Sequence, residues 1–226
     1  MENEPQLPQI PKFEGADNAI RWYIDTLKAT LFHPVAFFRK LPVSGGYTIP
    51  LVFGLVTHWI GVAFRSMWLS ASGEQINRLL LGAFRWGASE NPFGWMMGIG
   101  SVIIDPFFTL FSVFFSAALI YLAARILVPA QRPEGSPTVT LESATRVVCY
   151  GMAGTIFQAV PFMGPVISAI WVGITTFFAA REVYRVSTGR AAVIILFPQI
   201  LFLLFVGAIV GLLVLFAFKM AGVVFS

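Results

Sequence analysis

The sequence predicts an all-α, polytopic membrane protein: a bundle of five transmembrane helices with an interfacial amphipathic N-terminal helix. Composition is the first reason, because 57% of the 226 residues are hydrophobic and only 12% are charged. Soluble domains carry roughly 25% charged residues, and a soluble fold of this length could not bury so much apolar surface. The second reason is that apolar runs long enough to cross a bilayer recur along the chain, separated by charged or Pro-rich segments.

The N-terminal region divides into two parts. Residues 1–16 hold three prolines and three glutamates, which is typical of a disordered tail. Residues 17–44 form an amphipathic segment that is too short and too polar to span, so we expect it to lie flat on the membrane surface. Its apolar positions recur at helical spacing: Ile20, Tyr23, Ile24, Leu27 and Leu31. Residues 45–226 then form the transmembrane domain.

The five spans are predicted at residues 47–69, 106–128, 142–160, 165–183 and 191–218. The second depends on Asp105 and Pro106, which we interpret as the cap and first turn of a helix within a longer apolar stretch. Residues 95–104 would then be an interfacial or re-entrant approach, although a separate crossing would change the topology. Thr140 is expected to cap the third span, with Glu142 in its first turn. Spans three and four form a hairpin with short arms, whose tip is expected inside the membrane.

The distribution of basic residues predicts the orientation. With five spans, eleven Lys and Arg residues fall on the side of the N-terminus and four on the opposite side. The positive-inside rule therefore places the N-terminus in the cytoplasm and the C-terminus outside.

Three stretches resemble the Yip family of Ypt/Rab-interacting integral membrane proteins, in particular its bacterial branch. They are HPVAFFRKLPVSGGYTIPLVFGL, TRVVCYGMAGTIFQAVPFMGPVISAIWVGI and REVYRVSTGRAAVIILFP, and the resemblance covers most of residues 31–198. It implies a non-catalytic scaffold or adaptor in membrane organisation or trafficking. It also implies location in a bacterial inner membrane, or in ER or Golgi membrane if the source is eukaryotic. The chain lacks the long cytosolic N-terminal domain and the DLxGP stretch of eukaryotic members, so Rab binding is not carried over.

Polar residues within the predicted spans or at the start of one are the candidate site: His58, Arg65, Asp105 and Gln158. Arg65 follows His58 by seven residues, so both face nearly the same way, and we predict an ion pair between Arg65 and Asp105. The alternative is that Arg65 extends to the head groups and Asp105 only caps a helix. His58 is either a proton relay or ligand contact, or a donor to a neighbouring helix. Gln158 either joins helices or lines a polar path.

Two small residues in the last span, Gly207 and Gly211, form a GxxxG pattern that serves either internal packing or dimerisation. The expected partners are therefore the lipid bilayer and either other proteins or a second copy.

The sequence holds no catalytic motif, and we expect no enzymatic activity, no cofactor and no metal site. Cys149 is the only cysteine, which excludes an intrachain disulfide. The basic residues show no nucleic-acid-binding pattern, so no nucleic-acid partner is expected. The alternative to a scaffold is a small transporter, channel or lipid scramblase that uses the intramembrane polar residues.

Overall fold

The protein is described by a computed structural model over residues 18–42, 44–81, 94–128 and 138–224. The predicted tail at residues 1–16 lies outside these residues. The elements are α1 (Ala19–Phe32), α2 (Pro34–Lys40), α3 (Thr48–Leu81), α4 (Gly94–Leu127), α5 (Leu141–Gly151), a 3-10 helix (Met152–Ala159), α6 (Gly164–Tyr184) and α7 (Thr188–Val224). Every regular element in this part of the chain is helical, which confirms the all-α prediction.

Three helices contain stretches long and apolar enough to cross a membrane: Thr48–Trp68, Ile103–Leu127 and Gly164–Tyr184. Two shorter apolar stretches, Thr188–Leu201 and Gly207–Phe216, both lie within the single long helix α7. Large apolar side chains are exposed on the outward faces of these helices. Such an exterior suits a lipid environment and not water, as the composition predicts.

The second predicted span begins earlier than expected. Helix α4 starts at Gly94, and Pro106 lies inside it, so the prediction that Asp105 caps a helix is wrong. Proline removes one backbone donor, but membrane helices tolerate this because neighbouring groups can compensate. Residues 95–104 are therefore a helical extension of α4. Asp105 lies about three turns inside that helix, where its side chain can meet a neighbouring helix.

The third predicted span is a composite of two helix types. Thr140 caps α5 as predicted: its hydroxyl accepts from the Ser143 backbone N–H at 3.0 Å, and its own N–H donates to the Ser143 hydroxyl at 3.1 Å. Glu142 occupies the first turn. The α-helix ends at Gly151 and continues as the 3-10 helix. At this junction the Thr175 hydroxyl on α6 donates to the Gly151 carbonyl at 2.7 Å, which ties the change of helix type to its neighbour.

The 3-10 geometry lengthens this arm of the hairpin. The α-helix has 11 residues and the 3-10 helix has 8, which together reach about 32 Å at their respective rises. That matches the ~30 Å hydrocarbon core, so this arm is not short in the way the residue count suggested. At its far end the Trp68 indole donates to the Ala159 carbonyl at 3.0 Å. The hairpin therefore reaches the level at which the apolar stretch of α3 ends.

The N-terminal helix α1 packs on the bundle. The Trp22 and Tyr23 rings lie 6.3 and 5.6 Å from the buried Phe53 ring, and the Tyr23 hydroxyl donates to Thr57 at 3.1 Å. Ile20, assigned to the apolar face, is instead 77% exposed. Tyr23 belongs to the predicted apolar face, so the bundle contacts part of that face, but the buried side of α1 is turned toward Trp22 and away from Ile20.

Glycines bring three helices into close contact. A Cβ at Gly61 of α3 would overlap the Thr155 carbonyl oxygen of the 3-10 helix, and one at Gly154 would lie 2.6 Å from the Val172 nitrogen of α6. The 3-10 helix is therefore held between α3 and α6 with backbone in contact on both sides. This is the close approach that glycine permits in membrane helices.

Candidate functional site

A cavity of about 600 Å³ lies among α3, α4, α6, α7 and the hairpin arm that α5 and the 3-10 helix form together. Its polar lining residues are His58 together with Thr109, Ser112, Ser116, Thr155, Thr176 and Gln199. Its other lining residues are apolar. Pockets that bind small molecules typically measure roughly 300–1,000 Å³ and combine an apolar lining with a few placed polar groups, so this cavity is a candidate binding site.

One face of α4 supplies three of the seven polar lining residues, Thr109, Ser112 and Ser116, and continues to Asp105. Asp105, Thr109, Ser112 and Ser116 are spaced by four, three and four residues, which places them along one side of the helix. Away from this stripe, Phe108 is 70% exposed. The spacing is visible in the sequence, but the predicted site contained only ionisable and amide residues and so did not include these hydroxyl groups.

His58 and Asp105 meet at the cavity wall. His58 Nε2 lies 3.3 Å from Asp105 Oδ2, and the Thr109 hydroxyl donates to the same oxygen at 3.3 Å. Both side chains are largely enclosed, with 18% and 23% of their surfaces exposed. A carboxylate removed from water needs such partners. His58 Nδ1 is buried and has no hydrogen-bond partner among the described residues, so it is the polar atom of the pair that remains unsatisfied.

The predicted Arg65–Asp105 ion pair is wrong, since the described contacts pair Asp105 with His58. Helix α4 runs antiparallel to α3. Asp105 lies beside His58, and Phe114, further along α4, lies beside Tyr47, which precedes α3, with the two rings 6.4 Å apart. Asp105 lies about three turns inside α4, and it therefore meets the middle of the apolar stretch of α3, where His58 lies, and not the end of that stretch nearer to Arg65. Arg65 is exposed and does not line the cavity. That position fits the alternative in which its side chain extends to the head groups.

Gln158 lies apart from the cavity. It is near the end of the 3-10 helix, packed beside Gly61, and its buried Oε1 has no hydrogen-bond partner within the described part of the chain. The glutamine that lines the cavity is Gln199 of α7. Of the predicted polar group, the structure therefore brings together His58 and Asp105, and leaves Arg65 and Gln158 outside.

Gly207 and Gly211 face away from the described bundle. A Cβ at either position would meet nothing within 4 Å, and nearby Leu212 is 67% exposed. The sequence left two roles open for this glycine pair, internal packing and dimerisation, and the structure gives no support to internal packing.

A second polar cluster lies where α5 begins. Arg146 is 6% exposed and donates to the Pro42 and Gly46 carbonyls, at 3.0 and 2.9 Å, and to Glu142 at 3.1 Å. Glu142 in turn accepts from the Gly46 N–H at 2.8 Å. Gly45 and Gly46 have φ of 123° and 91°, a conformation that favours glycine. The cluster holds the turn before α3 against α5. Arg146 is one of the eleven basic residues on the side of the N-terminus, and nothing in the sequence predicted its role in this cluster.

Among the described side chains, no three His, Cys, Asp or Glu residues are grouped so as to hold a metal ion. The His58–Asp105 pair can form hydrogen bonds with a ligand in the cavity.

The fold and the cavity define an all-helical membrane protein with a polar site enclosed by its helices. A model of the Yip1 domain matches residues 28–210, and the chain therefore belongs to the Yip1 domain family. This confirms the resemblance, and the matched range contains every residue that lines the cavity. No curated protein and no solved structure matches the chain.

Proposed function

We propose that this Yip-family protein is a non-enzymatic membrane protein that binds a polar solute or head group in the cavity and passes it across the bilayer. The observation that carries this proposal is the row of polar side chains along one side of α4. At one end of this row Asp105 pairs with His58, which lies in the middle of the apolar stretch of α3. Polar and ionisable groups at such positions are costly in a membrane and commonly mark a transport path. The geometry thus favours the transporter, channel or scramblase class over a scaffold alone.

Replacing His58 with alanine tests this function. The variant loses one of the two partners of Asp105 and a polar lining group, so solute flux or lipid flipping in proteoliposomes should fall about tenfold, as for a lost hydrogen bond to a charged group. Arg65→Ala is the matched control because Arg65 lies outside the cavity, and its flux should equal that of the unmodified protein. Equal flux in the His58→Ala variant and the control would reject the proposal.

A scaffold or adaptor that self-associates is the second candidate, and the open face of α7 favours it. Gly207 and Gly211 are free to meet the same face of a second copy. We expect Gly207→Leu combined with Gly211→Leu to lower the yield of chemically cross-linked dimer in membranes. Gly173→Leu, also an open glycine, should leave it unchanged. Cross-linking that is insensitive to both changes would argue against this face as the contact.

We further propose five passes in a bacterial inner membrane, with the N-terminus cytoplasmic and the C-terminus outside. The length of the composite α5 arm and the continuity of α7 support five passes. Arg185 and Arg190, in and just after the turn between α6 and α7, support the orientation. In a Cys149→Ser background, single cysteines at Ser187 and Lys219 should then be labelled from opposite sides of the membrane.

A further inference from the structure

The cavity reaches the lipid-facing surface between α4 and α7. Phe115 of α4 and Leu203 of α7 both line the cavity, yet they are 49% and 68% exposed. A residue that lines a cavity and is also exposed lies at its rim. Since the outer faces of these helices are apolar and belong in lipid, a molecule that crosses this rim comes from the membrane and not from water.

The lining suits an amphipathic molecule. The lining combines the hydroxyl groups of Ser112, Ser116 and Thr176 with apolar side chains such as Ile120 and Val172. A fully water-soluble ligand would leave its own polar groups against the apolar part, at a cost in desolvation. A lipid could place its head group against the hydroxyls and its chains along the apolar part and the rim.

The charge of the lining determines the kind of head group. None of the described lining residues is Lys or Arg, and the ionisable residue among them, His58, already faces Asp105 at 3.3 Å. A phosphate needs charge-assisted donors, and here it would approach a carboxylate instead. Serine and threonine hydroxyls both donate and accept, which matches a ligand that carries hydroxyls.

We propose that the cavity binds a membrane lipid with an uncharged, hydroxyl-bearing head group, of the diacylglycerol or glycosyl-diacylglycerol kind, which enters between α4 and α7. This assignment rests on the proposed function and names its ligand. The unsatisfied Nδ1 of His58 and the hydroxyl of Ser116 are the groups that would meet the head group.

Lipid competition on the full-length protein tests the assignment. Nanodiscs of phosphatidylcholine would contain equal amounts of dioleoylglycerol and dioleoyl phosphatidic acid, and native mass spectrometry would measure which lipid the protein retains. We expect dioleoylglycerol to be retained about tenfold over phosphatidic acid. Ser116→Val should reduce that ratio about fivefold, whereas Ser116→Thr should preserve it. Valine and threonine have the same shape, so this comparison isolates the hydroxyl from any effect on folding.

Each outcome separates the ligand from the function. Equal retention of the two lipids, or equal ratios in the valine and threonine variants, overturns the assignment. If flux still depends on His58 in that case, the proposed function stands without this ligand. If the hydroxyl governs lipid retention while His58→Ala leaves flux unchanged, the lipid site stands and the transport function is rejected.

Discussion

Replacing Gly61 with alanine should destabilise the protein by about 1–3 kcal/mol, the range for overpacking a tight contact. The added Cβ would overlap the Thr155 carbonyl oxygen and lie 3.3 Å from the Gln158 Cβ. The carbonyl belongs to the backbone of the 3-10 helix, which on its other side is pressed against α6 at Gly154. No side-chain rotation can relieve the overlap, so α3 must move away from the hairpin.

The measurement is thermal unfolding of the detergent-solubilised protein, and Gly173→Ala is its control. Gly173 lies in α6 and has nothing within 4 Å of its added Cβ, so the same change there should leave the midpoint unchanged or slightly higher. Equal midpoints for the two variants would mean that α3 and the 3-10 helix are not in backbone contact.

The second large effect is expected at Arg146, where replacement by alanine should cost about 3–5 kcal/mol, as when one partner of a buried ion pair is removed. The Pro42 and Gly46 carbonyls lose their donor, and Glu142 loses its countercharge. Arg146→Lys should recover only part of the loss, because an ammonium group cannot reproduce the forked contacts of a guanidinium.

Urea-induced or thermal unfolding in detergent would measure this loss, with Arg21→Ala as the control. Arg21 also pairs with a carboxylate four residues away, Asp25 at 3.8 Å, but its side chain is 85% exposed. Exposed pairs contribute about 0–1 kcal/mol, so the control should be nearly neutral. A comparable loss in both variants would show that the Arg146 cluster is not enclosed in the membrane-embedded protein.

Local signals in the sequence predicted local structure well. Thr140 begins α5 and Glu142 lies in its first turn, as the capping pattern indicates. The Asp105-Pro106 signal failed although the same rule was applied, because tertiary contacts in a membrane can compensate for a proline inside a helix. Capping residues and prolines therefore predict the start of a helix least well when they lie within a long apolar run.

The site was predicted in part for a related reason. The sequence predicts His58 inside the membrane and Asp105 at the start of the second span, but which residues meet depends on the rotation and the depth of two helices that are distant in sequence. Helix α4 begins about three turns earlier than predicted, and Asp105 consequently meets His58 and not Arg65. The hydroxyl stripe of α4 could have been found from its spacing alone.

The 3-10 segment also fixes how many residues the hairpin needs to match the bilayer. Its eight residues extend about 4 Å further than the same residues would in an α-helix. Rewinding Met152–Ala159 into an α-helix would draw the turn at Val160 inward by that distance and shift Thr155 along the cavity wall. The thickness of bilayer that the hairpin matches and the shape of the cavity therefore depend on the same eight residues. A change in bilayer thickness would act on both the hairpin and the cavity.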